Sequence, residues 1–351
     1  MRILGRLRDE IGADGTGMLP PFQPRFPWLS GDLQTVRNTL VREAAGAAAD
    51  RRLSLPITGQ RGARLSIAVT DPAAPAPDHE LDPHADEVPR PNGRAVLLLH
   101  GIAGNEGSVY MTATARRFSA RGWRVYRMNY RGAGPSRATS RAPYHAGLTD
   151  DVRDVIAALP REEFPEGLSL MGFSLGGQLT LRLLGEDGAA GRDPAVRSAV
   201  TVSAPLNLSH CQKALERTRN RLYMRYLVRD MKRELGNLWP RAITRPGDSI
   251  DTVRQLDNHV ICPVFGFRDA EDYYARASAI YHLADIRRPF LAIHGDDDPW
   301  IPSGDYEAAP WPDVPGTGAA LLSGGGHVGF HDRAFRDPWF VAAALAYFDK
   351  Y

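Results

Sequence analysis

The chain predicts an α/β protein built on a largely parallel, doubly wound sheet, and three observations carry that expectation. From Arg94 onward, "RAVLLLHG", "WRVYRMNYRG", "GLSLMGFS", "SAVTVSAP", "PFLAIHGD" and "GAALLSGGG" are short apolar runs that end in glycine or polar residues. Helix-compatible segments separate most of them, and strands apolar on both faces are those that helices cover on both sides. Finally, 351 residues with 43% apolar and 24% charged composition suffice for one large core with an appendage.

Taken in order, residues 1–50 read as an N-terminal extension packing on that core. "RRLSLPIT" and "ARLSIAVTD" flank "GQRG" and read as a hairpin at the sheet edge. The proline- and acid-rich "DPAAPAPDHELDPHADE" that follows cannot pack a core and reads as a solvated loop. Core residues then span 51–205 and 286–351, with 206–285 inserted as a helical cap or lid. In that insertion Leu215, Leu222, Tyr226, Met231 and Leu235 fall near helical spacing beside Arg217, Arg221, Arg225, Arg229 and Lys232. The expected apolar side covers a pocket; peripheral contact with an anionic membrane is the other use of such a segment.

A net charge of +2 lacks the basic excess of nucleic-acid binders, so nucleic acid is not an expected partner. Two cysteines, Cys211 and Cys262, form no disulfide framework and suit a reducing, cytoplasmic setting. The first residues lack the continuous apolar core of a secretion signal, and no run reaches the roughly 18 apolar residues of a spanning helix.

Ligands of doubly wound sheets sit at the carboxyl ends of the strands, where His100, Arg131, Ser174, Asp298 and His327 fall. Gly172-Phe173-Ser174-Leu175-Gly176 fits G-x-S-x-G, the tight strand-to-helix turn that lifts a serine hydroxyl above a sheet. The next segment, "LGGQLTLRLLGEDG", is expected to be a helix that ends at its glycine, which puts Ser174 at a positive helix N-terminus. A serine needs a base, and the base needs an orienting acid. His327 in "GGGHVGF" and Asp298 in "HGDDDPWIP" supply them in the chain order Ser, Asp, His of the α/β-hydrolase fold. Asp297 competes with Asp298, and His331, expected in a surface position at the start of the final helix, competes with His327. Asp296, Asp297 and Asp298 with His294 form a weaker metal candidate, and neither a metal nor an organic cofactor is expected. The backbone N–H groups of Ile102 and Leu175 are the expected oxyanion donors. His100 is expected to pack beneath the site, Arg131 and His145 to fix loops, and Tyr273 and Tyr274 to be core aromatics or to line an acyl pocket.

The chain resembles the YheT-like family of α/β-hydrolases through "PFQPRFPWLSGDLQTV", "LLLHGIAGNEGSVY", "MNYRGAGPSRATSRAPYHAG", "GFSLGG", "PVFGFRDAEDYYARAS", "HGDDDPWIP" and "GGGHVGF". That resemblance implies Ser174 as nucleophile, Asp298 as orienting acid, His327 as base, and hydrolysis of carboxylic esters with medium or longer acyl chains. The insertion after Thr70 departs from the family pattern. An alcohol acyltransferase using the same triad, or a non-catalytic ligand-binding module, are the alternative readings.

Overall fold

Nine strands make one sheet in the computed structural model, which describes residues 1–41, 48–72, 91–140, 142–193, 195–236 and 250–351. They are β1 (Arg2–Leu4), β2 (Arg51–Pro56), β3 (Arg64–Thr70), β4 (Arg94–Leu99), β5 (Arg124–Met128), β6 (Gly167–Phe173), β7 (Ala199–Val202), β8 (Phe290–Gly295) and β9 (Gly318–Leu322). Their order is β1-β9-β8-β7-β6-β4-β5-β3-β2. The six strands from β9 to β5 run parallel, and antiparallel strands close both edges: β1 beside β9, and the β2–β3 hairpin beside β5.

The unbroken apolar runs follow from burial on both faces. Val96 and Leu98 of β4, Met171 and Phe173 of β6 and Leu291 and Ile293 of β8 pack with Phe118 and the final helix Trp339–Lys350. Leu97, Leu99, Leu168 and Leu170 point the other way, toward Val152, Leu179 and the residues of the insertion. Each strand thus contributes to two cores at its period of two.

Three expectations need correction. The helix after Ser174 runs Leu175–Ala189, so Gly185 and Gly188 lie inside it and do not end it. A Cβ at Gly185 would stand 2.2 Å from the His282 carbonyl oxygen and one at Gly188 1.9 Å from that of Asp285; these glycines admit a neighbouring backbone. In the insertion, Leu215 ends a separate helix, Leu208–Leu215. The next helix, Arg221–Leu235, buries Met224, Leu227, Val228, Met231 and Leu235, whereas Leu222 and Tyr226 face outward. Its inward stripe is therefore rotated from the expected one. The third correction concerns His331 and is given with the site. The acid-rich loop reading falls largely on 73–90, outside the described residues.

Candidate active site

β6 ends at Phe173 and the helix begins at Leu175, leaving Ser174 alone at the bend with φ 50° and ψ −117°. A non-glycine residue at positive φ is strained, and the surroundings hold it there. The Ser174 N–H donates to the Val202 carbonyl of the next strand at 2.8 Å. The flanking glycines are steric necessities: a Cβ on Gly172 would lie 2.3 Å from the Gly176 oxygen, and one on Gly176 2.2 Å from the Leu99 oxygen.

Asp298 lies in the turn after β8. One carboxylate oxygen accepts the N–H groups of Trp300 and Ile301 at 2.8 and 3.1 Å, and the other lies 2.8 Å from His327 Nδ1. Burial alone would raise its pKa, but the His327 charge and hydrogen bond, helped by His294 and the Trp300 amide, hold the carboxyl below the usual range. On the far side of the ring, His327 Nε2 is 3.0 Å from Ser174 Oγ. The structure thus brings Ser174, His327 and Asp298 into one hydrogen-bonded line.

Asp297 instead accepts the Gly326 N–H at 2.9 Å and holds the loop on which His327 rides. The Trp300 ring packs over the imidazole with centroids 4.1 Å apart. From the N-terminal helix Gly31–Leu40, the Thr35 hydroxyl accepts the His327 N–H at 2.8 Å.

His331 is buried, not at the surface, and the final helix starts later, at Trp339. Its ring nitrogens meet Arg37 at 2.9 Å and the Asn38 side-chain oxygen at 2.9 Å, and its N–H donates to Gln34 at 2.7 Å. Burial, reinforced by Arg37 and Arg25, pushes its pKa down to about 3, which makes it a neutral tie to the N-terminal helix. His294 lies stacked on Tyr306 with ring centroids 4.1 Å apart, and burial pushes it down to about 4. Among the described residues no three His, Cys, Asp or Glu side chains converge as a metal site. His100 is fully buried under the turn, with centroids 4.1 Å from Tyr130, and burial pushes its pKa to about 4.

The loop after β4 has an alternating pattern of amides. Gly101 donates to the Tyr110 hydroxyl at 2.9 Å and Ala103 to the Tyr144 hydroxyl at 2.8 Å. Between them the Ile102 N–H has no hydrogen-bond partner among the described residues, and neither has that of Leu175. Ala103 sits at φ 55°, so the Tyr144 bond holds a strained residue. Tyr144 in turn donates to Glu234 of the helix Arg221–Leu235 at 2.8 Å, which links the insertion to the loop.

Beside Ile102 and Leu175 opens a cavity walled by Met231, Leu235, Leu256 and Ile261, with Arg131, Glu234 and Asp257 as charged or titratable groups in its lining. Burial pushes both carboxyls up to about 7. Arg131 is committed to Asp151 (Nε to Oδ2, 2.6 Å). His145 packs against Phe265 at 4.3 Å, and burial pushes its pKa to about 3. Tyr273 reaches the cavity and its hydroxyl accepts the Ala146 N–H at 2.9 Å, whereas Tyr274 donates to Asp257 at 2.7 Å.

Residues 90–309 match the family profile Hydrolase_4, described as serine aminopeptidase, S33. The chain belongs to this family. It is an α/β-hydrolase of esterase- and lipase-like kinship. The hydrolase is 32% identical over 246 residues to the Escherichia coli (strain K12) protein named "Putative esterase YheT", a match covering 67% of this chain and 70% of that protein. It is also 32% identical over 255 residues to "Monoacylglycerol lipase" of Saccharomyces cerevisiae, covering 69% of this chain and 56%, little more than half, of the yeast protein. In fold it is similar to the Pyrococcus furiosus esterase Pf2001, with a TM-score of 0.53, 14% identity and coverage of 86% and 92% of the two chains. Among the described residues of the hydrolase, no helix is long and apolar enough to cross a membrane.

Sequence reasoning missed Tyr110, Tyr144, Glu234, Trp300 and Thr35. Trp300 was the most accessible, two residues after Asp298 in the same acidic turn. The others act through contacts between distant segments, and no local pattern marks them.

Proposed function

We propose that the hydrolase cleaves carboxylic esters, with medium- to long-chain acyl esters and lipids as the substrate class, by acyl transfer through Ser174. The observation that carries this reading is the line Asp298–His327–Ser174, with contacts of 2.8 and 3.0 Å, ending at a strained serine beside two amides that have no hydrogen-bond partner among the described residues.

His327 takes the Ser174 proton as the hydroxyl oxygen attacks the ester carbonyl, and Asp298 holds the ring in the tautomer that accepts it. The N–H groups of Ile102 and Leu175 donate to the oxyanion, the latter from a helix N-terminus. His327 returns the proton to the departing alcohol. Water, deprotonated by the same ring, then releases the acid. No organic cofactor or metal enters these steps.

The apolar cavity wall next to both amides suits an acyl chain, and the names esterase, monoacylglycerol lipase and phospholipase among the relatives agree with ester substrates. Cys211 and Cys262 are both free, which supports a reducing, cytoplasmic setting. The test is hydrolysis of p-nitrophenyl esters of increasing chain length by wild type and Ser174→Ala. The expected result is a loss of at least about 10³-fold in kcat in the variant with unchanged melting, and rates that peak beyond the shortest chain. Full activity in the variant would overturn the assignment.

A further inference from the structure

The large apolar side chains exposed among the described residues are not scattered. Six of them, Phe26, Leu29, Leu33, Leu40, Leu222 and Tyr226, belong to two neighbouring elements, the segment through Gly31–Leu40 and the helix Arg221–Leu235. The elements touch at Asp32, whose carboxylate accepts from Arg219 at 2.7 Å and from the Tyr223 hydroxyl at 3.0 Å.

The helix Gly31–Leu40 is inside out. Its polar residues Gln34, Thr35 and Arg37 are buried against the loop that carries His327 and His331, while Leu33 and Leu40, with Leu29 one turn ahead, face solvent. Leu40 is 67% exposed and Leu222 77%. An outward apolar stripe on a surface helix marks a face that meets something other than water.

Charge identifies the occupant. The outer face of Arg221–Leu235 carries Arg221, Arg225, Arg229 and Arg233 around Leu222 and Tyr226. Asp230 engages Arg229 and Arg233, and Asp32 engages Arg219, but Arg217, Arg221 and Arg225 have no carboxylate partner among the described residues. Leucines and a tyrosine ringed by free cations complement an anionic bilayer, in which apolar groups enter the interface and arginines meet phosphates. A second copy would set arginine rows against each other.

We propose that this two-helix face docks the hydrolase on an anionic lipid surface. The proposal goes beyond the ester-hydrolase reading and needs no turnover to be tested. The inner side of the same helix supplies Met231 and Leu235 to the cavity wall beside Ile102 and Leu175, so docking sets that wall at the bilayer.

The experiment is flotation of the full-length chain with phosphatidylcholine vesicles, with and without phosphatidylglycerol, at low and high salt. Binding is expected on the anionic vesicles, weak on the neutral ones, and reduced by salt. At about fivefold in partitioning per arginine, Arg221→Glu with Arg225→Glu should lower it by about 30-fold or more. Leu40→Asp with Leu222→Asp should also abolish it, while hydrolysis of p-nitrophenyl butyrate and the melting temperature stay at wild-type values in both variants. Equal partitioning onto both vesicle types, no partitioning, or binding indifferent to the charge reversal would overturn the proposal. So would a dimer in sedimentation velocity that Leu40→Asp with Leu222→Asp dissolves, since the face would then be a self-association surface. Activity persisting in Ser174→Ala would defeat the ester mechanism and leave the vesicle result intact.

Discussion

Tyr144→Phe isolates the tie between the insertion and the oxyanion loop. The ring, packed with centroids 5.0 Å from Tyr130, stays, and only the hydroxyl is lost. With it go the bonds to the Ala103 N–H and to Glu234, each 2.8 Å. A half-buried amide left without its acceptor costs about 1 kcal/mol, the low end for such groups, so the protein should still fold. The catalytic effect should be larger. Ala103 is held at φ 55° and adjoins Ile102, whose amide is one of the two oxyanion donors in the proposed mechanism. Complete loss of a donor is worth about 10² to 10³ in kcat, and misplacement of one by a relaxed loop should cost about 10- to 100-fold. KM should change by less than about twofold, because the donor acts on charge that develops only in the transition state. The assay is steady-state hydrolysis of p-nitrophenyl butyrate, paired with inhibition by a trifluoromethyl ketone that forms a tetrahedral adduct. Inhibitor affinity should fall with kcat. A variant with wild-type kcat, or one in which kcat falls while inhibitor affinity holds, would refute the reasoning.

Other predictions follow from the acidic residues. Asp298→Asn should lower kcat by about 10³- to 10⁴-fold by favouring the wrong tautomer of His327, whereas Asp297→Asn, whose side-chain oxygen can still accept from Gly326, should cost less than about tenfold; equal losses in ester hydrolysis would contradict the assignment of roles. Asp257 has its pKa pushed by burial up to about 7, so the folded chain keeps a proton that the unfolded chain releases near 3.8. The unfolded state binds fewer protons between those values, and stability should fall as pH rises from about 4 to 7. Asp257→Asn removes that penalty and can still accept from Tyr274, so its unfolding free energy from urea titration should exceed that of wild type at pH 8 by on the order of 4 kcal/mol and converge with it near pH 4. A pH-independent difference would show that Asp257 is not the titrating group.

What the sequence could reveal depended on whether a residue's neighbours lie close along the chain. The six parallel strands were legible because burial on both faces leaves an unbroken apolar run, and Gly172, Ser174 and Gly176 because one tight turn imposes all three. β1 was not: three residues paired with Leu321, Ala320 and Ala319 across the whole chain carry no periodicity of their own. The helix Gly31–Leu40 escaped for the opposite reason, since a helix burying Gln34, Thr35 and Arg37 inverts the usual pattern. The rotated stripe of Arg221–Leu235 has a related cause. Met224, Leu227, Val228 and Met231 keep strict helical spacing, but exposed Leu222 and Tyr226 compete for the same reading. His331 illustrates the limit at a single residue: beside a glycine-rich loop it reads as solvated, and only Arg37 and Asn38, nearly the whole chain away, show it to be buried.

In the proposed mechanism Ser174 is the nucleophile, activated through His327. Labelling with a fluorophosphonate followed by peptide mapping tests it most directly. The adduct should sit on the peptide containing Ser174, form more slowly by orders of magnitude in His327→Ala, and be absent from Ser174→Ala. An adduct on another residue, or a Ser174 that stays unmodified while esters are turned over, would contradict it.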